Sequence, residues 1–345
     1  MFLNASFYLV VGACSAFASD PGSFERTLAV SGPVRLDVRS DPGGVNIMAG
    51  SSTAVRVRAL IKPLYGRLDL DVAETNIRAL EKNPPIEQVG NSIRIGYVKD
   101  ASLLRAVSIH FEIEVPLVTE VRVYTESGGI RIDGITGPAV ATTVSGRTEI
   151  SNVRSAIDAN GHSGAIVIRN AGGRVSVRTE SGGIWLSNIE GLVESETTTG
   201  RTEISGALDD LHSITHSGAI SIDRVSGAVV ARNHSGRIDA LRLGGSVNAE
   251  NKSGAIHISQ LKPAPIRAVA DSGAIKVNLA SGGGYLIDAQ SKSGKISGPV
   301  ATTARRKIDG YTLQATIASG GPLVDIDTHS SKIDINWNRA GKGMQ

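Results

Sequence analysis

Large rings are scarce in this sequence: Phe, Trp and Tyr together make up 4% of its 345 residues. Such a chain cannot fill a wide core with aromatics, so its interior has to be thin and built from small and β-branched side chains. Cysteine occurs once, as Cys14, which excludes an internal disulfide framework. No apolar run reaches the roughly 20 residues that a membrane helix needs, so no membrane span is expected. Charge of one sign is missing as well, with 36 basic residues against 33 acidic ones and a net charge of +3. Nucleic-acid binding wants a concentrated basic face, so no nucleic-acid partner is expected. The one dense basic cluster, Arg305-Arg306-Lys307, reads as a solvated loop. A Walker loop, an H-E-x-x-H pair and the Gly-Asp nonapeptide of calcium-binding coils are all absent, and no cofactor is expected.

What is present begins with a leader. Phe2 to Gly12 is mostly apolar, and Ala16-Phe17-Ala18 is an A-x-A cleavage site before Ser19, so residues 1–18 read as a signal peptide. Val11-Gly12-Ala13-Cys14 also resembles a bacterial lipobox, which would place a lipid anchor on Cys14. Either route implies export to the periplasm, the outer envelope or the medium. Cleavage after Ala18 would leave a mature chain without cysteine, held by packing and hydrogen bonds alone.

Glycine, at 40 residues, is placed with a strict period. Ser-Gly recurs at 127, 145, 163 and 181, then Thr199-Gly200, then Ser-Gly at 217, 235 and 253, always 18 residues apart. Further marks follow at 272 and 293, and His329-Ser330-Ser331-Lys332-Ile333 repeats the shape of His216-Ser217-Gly218-Ala219-Ile220. With the Ser as position 1, positions 4 and 6 are apolar (Ile130 and Ile132, Ile166 and Ile168, Ile220 and Ile222), and position 5 between them is mostly polar. Positions 13 and 15 repeat the alternation with Ala139 and Ala141, Val175 and Val177, Val229 and Ala231. Period two marks half-buried strands. Glycine recurs at position 11 (Gly137, Gly173, Gly191, Gly227, Gly245), where corners need unusual backbone angles. Two short strands and two corners make a coil that cannot bury its own apolar face, whereas stacked coils can. The fold class is therefore all-β: a parallel β-solenoid of about ten 18-residue coils, rising about 4.8 Å per coil.

One sentence is written twice in this ladder. TVSGRTEIS at 143–151 matches TTTGRTEIS at 197–205, and position 3 runs Gly129, Arg147, Ala165, then Gly183, Arg201, Ala219. The copies are rungs of a duplicated three-coil block; a repeated binding motif is the alternative. Before the ladder, Val34–Val38, Gly44–Ile47, Val55–Arg58, Ser92–Ile95, Ile109–Val115 and Val121–Tyr124 alternate as strands, with Pro116 ending the longest. Val72 to Lys82 reads as a short helix stopped by Asn83-Pro84-Pro85. The resulting organisation is a signal peptide at 1–18, a strand-rich N-terminal cap with irregular coils at 19–125, the regular solenoid at 126–297, C-terminal coils and cap at 298–340, and a tail at 341–345.

Ile113-Glu114-Val115-Pro116, the run Val121-Arg-Val-Tyr-Thr-Glu-Ser-Gly-Gly-Ile130, and the repeated Ser-Gly-x-Ile-x-Ile units resemble the bacterial putative-adhesin family, a domain family of unknown function, over about residues 30–335. The resemblance implies an exported or envelope-associated β-solenoid and brings no catalytic residue. Many members carry Asp or Asn after Ser-Gly, where this chain has Gly, Arg, Ala or Lys.

His162-Ser163, His216-Ser217 and His234-Ser235 invite a hydrolase reading, but each Ser is a repeat-phase residue also present in coils without the His. His216 and His234 occupy position 18 of adjacent coils, close enough for a weak metal site, although a firm one wants three or four ligands. Glu149 and Glu203 share position 5 three coils apart, too far for the paired carboxylates of a glycosidase. Arg131 and Glu149, on adjacent coils of that column, form a favourable opposite-charge pair. Trp185 falls in the same column and points outward, where it could stack on a sugar ring or a partner. Thr and Asn at position 17 (Thr125, Thr143, Thr179, Thr197, Thr215, Asn233, Asn251) turn inward as a hydrogen-bonded ladder, which disfavours a flat ice-binding face.

The function expected is a non-enzymatic, adhesin-like exported scaffold that binds an envelope protein or glycan through Trp185, Arg131, Glu149 and Glu203. A carbohydrate-active enzyme on the same platform and a self-assembling envelope protein are the alternatives.

Overall fold

The computed structural model describes residues 21–50, 53–64, 70–299, 305–307 and 310–337. The leader with Cys14 and the tail at 341–345 lie outside the described residues. Two long sheets face each other, and among the described residues they hold 15 strands (sheet A) and 16 strands (sheet B). Sheet A collects positions 4 to 9 of each coil, as in Ile220–Val225, and sheet B collects positions 13 to 19, as in Val229–Ser235. Each strand pairs in parallel with its equivalent one coil away, so Ile220 faces Thr202 and Ile238, and Val229 faces Leu211 and Val247. The apolar columns at positions 4, 6, 13 and 15 are buried between the sheets. This is the β-solenoid, and the thin core follows from its composition. The buried rings Phe24, Phe111 and Tyr285 all sit in the end coils, and the regular coils bury Val, Ile, Leu, Ala and Thr instead.

Position 8 explains how a coil turns its corner. Gly134, Asn152, Asn170, Asn188, Gly206, Arg224 and Arg242 all have φ between 55° and 81°. This left-handed residue breaks the alternation: positions 7 and 8 both face out, and position 9 (Val153, Ala171, Ile189, Ala207, Val225, Leu243) turns back into the core. The asparagines among them stack, with Asn170 Nδ2 donating to Asn152 Oδ1 at 2.9 Å and Asn188 Nδ2 to Asn170 Oδ1 at 3.0 Å. The position-17 column is buried. Asn233 and Asn251 each tie their coil shut by donating to the carbonyls of Gly218 (2.8 Å) and Gly236 (2.7 Å), and Thr125 bonds Thr143 at 3.0 Å.

The two ends depart from sequence order in the same way. At the N-terminal end, the coil made by Val34–Ser40 and Val45–Ala49 lies between the coil of Ser92–Ile95 and Val107–Val115 and the coil of Thr119–Ser127 and Ile130–Asp133. At the C-terminal end, Leu323–Thr328 and Ile333–Trp337 lie between the coil of Ile266–Ser272 and Ile275–Leu279 and the coil of Tyr285–Ser291 and Ile296–Ser297. Near each end of the solenoid, one coil is thus inserted between two coils that follow each other in sequence.

The open ends are closed by antiparallel pieces. Gly22–Ala29 and Ala54–Pro63 extend sheet A. The helix Leu70–Lys82 packs Ala73, Ile77 and Leu80, an i, i+4, i+7 stripe, into the core beside them. Arg305–Lys307, expected as a loop, is instead a short strand at the edge of sheet B, antiparallel to Gly310–Ile317.

Candidate functional site

Strand parity sends position 5 to the outer face of sheet A, and the register lines this column up across the sheet. Arg131 faces Glu149, Glu149 faces Val167, Val167 faces Trp185, and Trp185 faces Glu203. A groove of about 500 Å³ crosses the middle of this row, lined among others by Arg147, Val167, Arg169, Trp185, Glu203 and Asp223.

Trp185 has a prepared seat there. A Cβ built on Gly183 would lie 2.1 Å from indole Cη2 and 2.4 Å from Cζ3, so the benzene ring of the indole rests on the bare backbone of position 3. Position 3 of the coils on either side holds Ala165 and Arg201, which would not admit it. Val167, outward by parity, is nevertheless 3% exposed in the groove beside the indole, and Trp185 itself stays 36% exposed. The result is an aromatic platform with one side supported by protein.

The charged residues of the row are largely satisfied within their own strands. Arg147 Nε bonds Glu149 Oε1 at 2.6 Å, Arg201 Nε bonds Glu203 Oε1 at 2.8 Å, and Arg237 Nε bonds Asp239 Oδ1 at 2.8 Å. This corrects the expected Arg131–Glu149 pair: the two are in register, but Glu149 is taken by the arginine two residues before it. Glu149 and Glu203 stand about 14 Å apart at about 4.8 Å per coil, beyond the separations used in glycoside hydrolysis. Glu126 is raised by its hydrogen bond with Asp41 and by the charge of that partner, but it is fully exposed, unlike a sheltered general acid.

Arg131 and Glu149 line a second groove of about 690 Å³ where the cap meets the ladder. Sequence reasoning missed two residues there, His110 and Asn46, because their positions depend on how the cap strands pair. His110 Nδ1 accepts from the Gly44 N–H at 3.1 Å, and Asn46 Oδ1 is buried and has no hydrogen-bond partner among the described residues. Burial, with Lys62 nearby, lowers the His110 pKa; burial likewise lowers that of His257 against the pull of Asp239. The unfolded chain therefore takes up protons first, so this contribution to stability is full above the unfolded value of 6.5 and falls as pH drops through it. The urea midpoint should decrease between pH 7.5 and 5.5, and His110→Gln should flatten that slope; an unchanged slope would refute the assignment.

His216 and His234 stack on the outer face of sheet B with ring centroids 4.6 Å apart and planes at 19°. Among the described residues no group of three or more His, Cys, Asp and Glu is arranged to hold a metal. His162, in the same column, contacts Glu180 at 2.9 Å. No helix among the described residues is long and apolar enough to cross a membrane.

Residues 172–336 match the family model described as Toastrack DUF4097, which bears out the resemblance read from the Ser-Gly units. The coils before residue 172 continue the same period and register. Two crystal structures are similar to the chain. One, of a putative cell adhesion protein from Clostridium sporogenes, has 9% identity, covers 92% of this chain and 100% of that one, and has a TM-score of 0.23. The other, of a putative adhesin from Bacteroides fragilis, has 13% identity, covers 91% and 97%, and has a TM-score of 0.27. No curated protein matches the chain.

Proposed function

We propose, from the Toastrack match of residues 172–336 and the groove at Trp185, that this chain is an exported, non-enzymatic, adhesin-like scaffold. It binds a glycan or protein partner at the cell envelope through the outer face of sheet A. The observation that carries this reading is the indole seated on Gly183. An aromatic fixed on backbone loses little conformational freedom when a partner covers it, the property expected of an interface anchor. The leader supports export, and the ion-paired carboxylates flanking the groove suit recognition better than acid–base chemistry.

The test is a glycan and envelope-fraction binding screen with the chain from Ser19. Trp185→Ala should weaken saturable binding by roughly 30-fold, about 2 kcal/mol, the threshold of an interface hot spot. Gly183→Ala should weaken it too, by unseating the indole without removing it. Wild-type affinity in both variants would exclude this face.

A further inference from the structure

Resting on that reading, we propose that the groove takes a carboxylate-bearing sugar, a uronic acid unit of an acidic polysaccharide. The argument is one of charge and position. Arg147 in the groove wall is engaged by Glu149, and Glu203 by Arg201. Asp223 is engaged by Arg242, whose Nε lies 2.6 Å from its Oδ1. Arg169 differs: among the described residues no carboxylate lies within ion-pairing distance of it. The groove therefore offers one uncompensated guanidinium.

Its position relative to the platform is set by register. Val167 faces Trp185 and Arg169 faces Ser187, so Arg169 and Trp185 lie on adjacent coils two residues apart along the strand, on the same face, and both line the groove. A uronate chain laid along the groove with a C–H face on the indole brings a carboxylate to the guanidinium. A planar carboxylate accepts two parallel N–H bonds from the guanidinium fork. The hydroxyls of Ser187, Ser205 and Ser221, also in the groove, have no hydrogen-bond partner among the described residues and are available to the ring hydroxyls. A neutral sugar would use the platform and leave Arg169 to water.

The experiment compares polygalacturonate, alginate and hyaluronate, each beside its own carboxyl-reduced form, with dextran sulfate as a second anion. The proteins are wild type, Arg169→Gln and Trp185→Ala. Wild type should bind at least one uronate polymer about 10-fold or more tighter than its reduced form, a preference worth about 1.4 kcal/mol. Arg169→Gln should bring the two within about 2-fold while keeping the weaker binding, and Trp185→Ala should weaken both. Equal binding of the reduced forms, a preference that survives Arg169→Gln, or tighter binding of dextran sulfate would overturn the uronate assignment. Envelope binding that depends on Trp185 without any uronate binding would also overturn it and leave the preceding reading standing. Loss of Trp185 dependence everywhere would remove both.

Discussion

Gly218→Ala is expected to cost about 3–5 kcal/mol and to leave the solenoid largely unfolded in moderate urea. Gly218 has φ of 142°, outside the range that a side chain tolerates, and a Cβ there would lie 1.8 Å from the carbonyl oxygen of Gly200 one coil below. The same stacking recurs up the column: Gly200 sits on the Gly182 carbonyl (1.9 Å from the built Cβ) and Gly236 on that of Gly218 (1.8 Å). No rotamer relieves a clash with backbone. Separating these two coils would break Gly200 N–H to Ser217 O, 2.9 Å long, and its neighbours in the ladder. Strained φ costs about 1–3 kcal/mol and forced overpacking about as much again. Ser217→Ala, on the exposed position beside it, serves as the control and should stay within about 1 kcal/mol. A midpoint for Gly218→Ala matching that control would refute the assignment of these glycines to backbone contact.

Removing residues 322–345 should do more damage than removing a whole coil from the middle. In a solenoid that follows sequence order, the last coil lies at one end, and its loss uncovers one interface. Here Leu323–Thr328 and Ile333–Trp337 are sandwiched, so truncation takes partners from both sides. Val324, Ile326, Ile333 and Ile335 are each at most 1% exposed. Their burial is worth about 1.5–3 kcal/mol apiece. Among the described residues, Tyr285–Ser291 would keep only its antiparallel neighbour Gly310–Ile317. Limited proteolysis with mass spectrometry should show the truncated chain digested back to about residue 279. Deletion of 217–234, which joins two coils in phase, should leave a resistant core. A truncated chain that stays resistant through residue 321 would contradict the threaded order.

Much of this fold was legible because its signal is local and repeated. Alternation of period two places Ile220 and Ile222 inward and Trp185 outward without reference to any other coil. What escaped was whatever breaks the alternation or lies outside one coil. Asn152, Asn170 and Asn188 recur every 18 residues, and Gly134 and Gly206 in their column hint at a left-handed corner, but Arg224 and Arg242 in the same place disguise it. The threaded ends were hidden because strand partners there are chosen by topology. At the site, parity puts both Arg131 and Arg147 on the face of Glu149, and only side-chain geometry decides between them. The seat under Trp185 rests on the missing Cβ of Gly183, which the repeat alone presents as one more variant of position 3.

The Arg-x-Glu unit inside each RTEIS copy has a consequence for how such rods change length. Arg147 and Glu149 neutralise each other within one strand, as do Arg201 and Glu203. A coil of this kind brings its own counter-ion, so copying or losing it leaves its new neighbours with no orphaned charge on sheet A. Sheet B is wired differently, since Arg178 reaches Glu196 and Arg232 reaches Glu250 across the joint between coils. A coil inserted at either joint separates such a pair, whereas one inserted at the joint between Glu196 and Ile214 separates none in that column. The electrostatics thus mark where a gene for this rod can slip by one repeat and still encode a quiet surface.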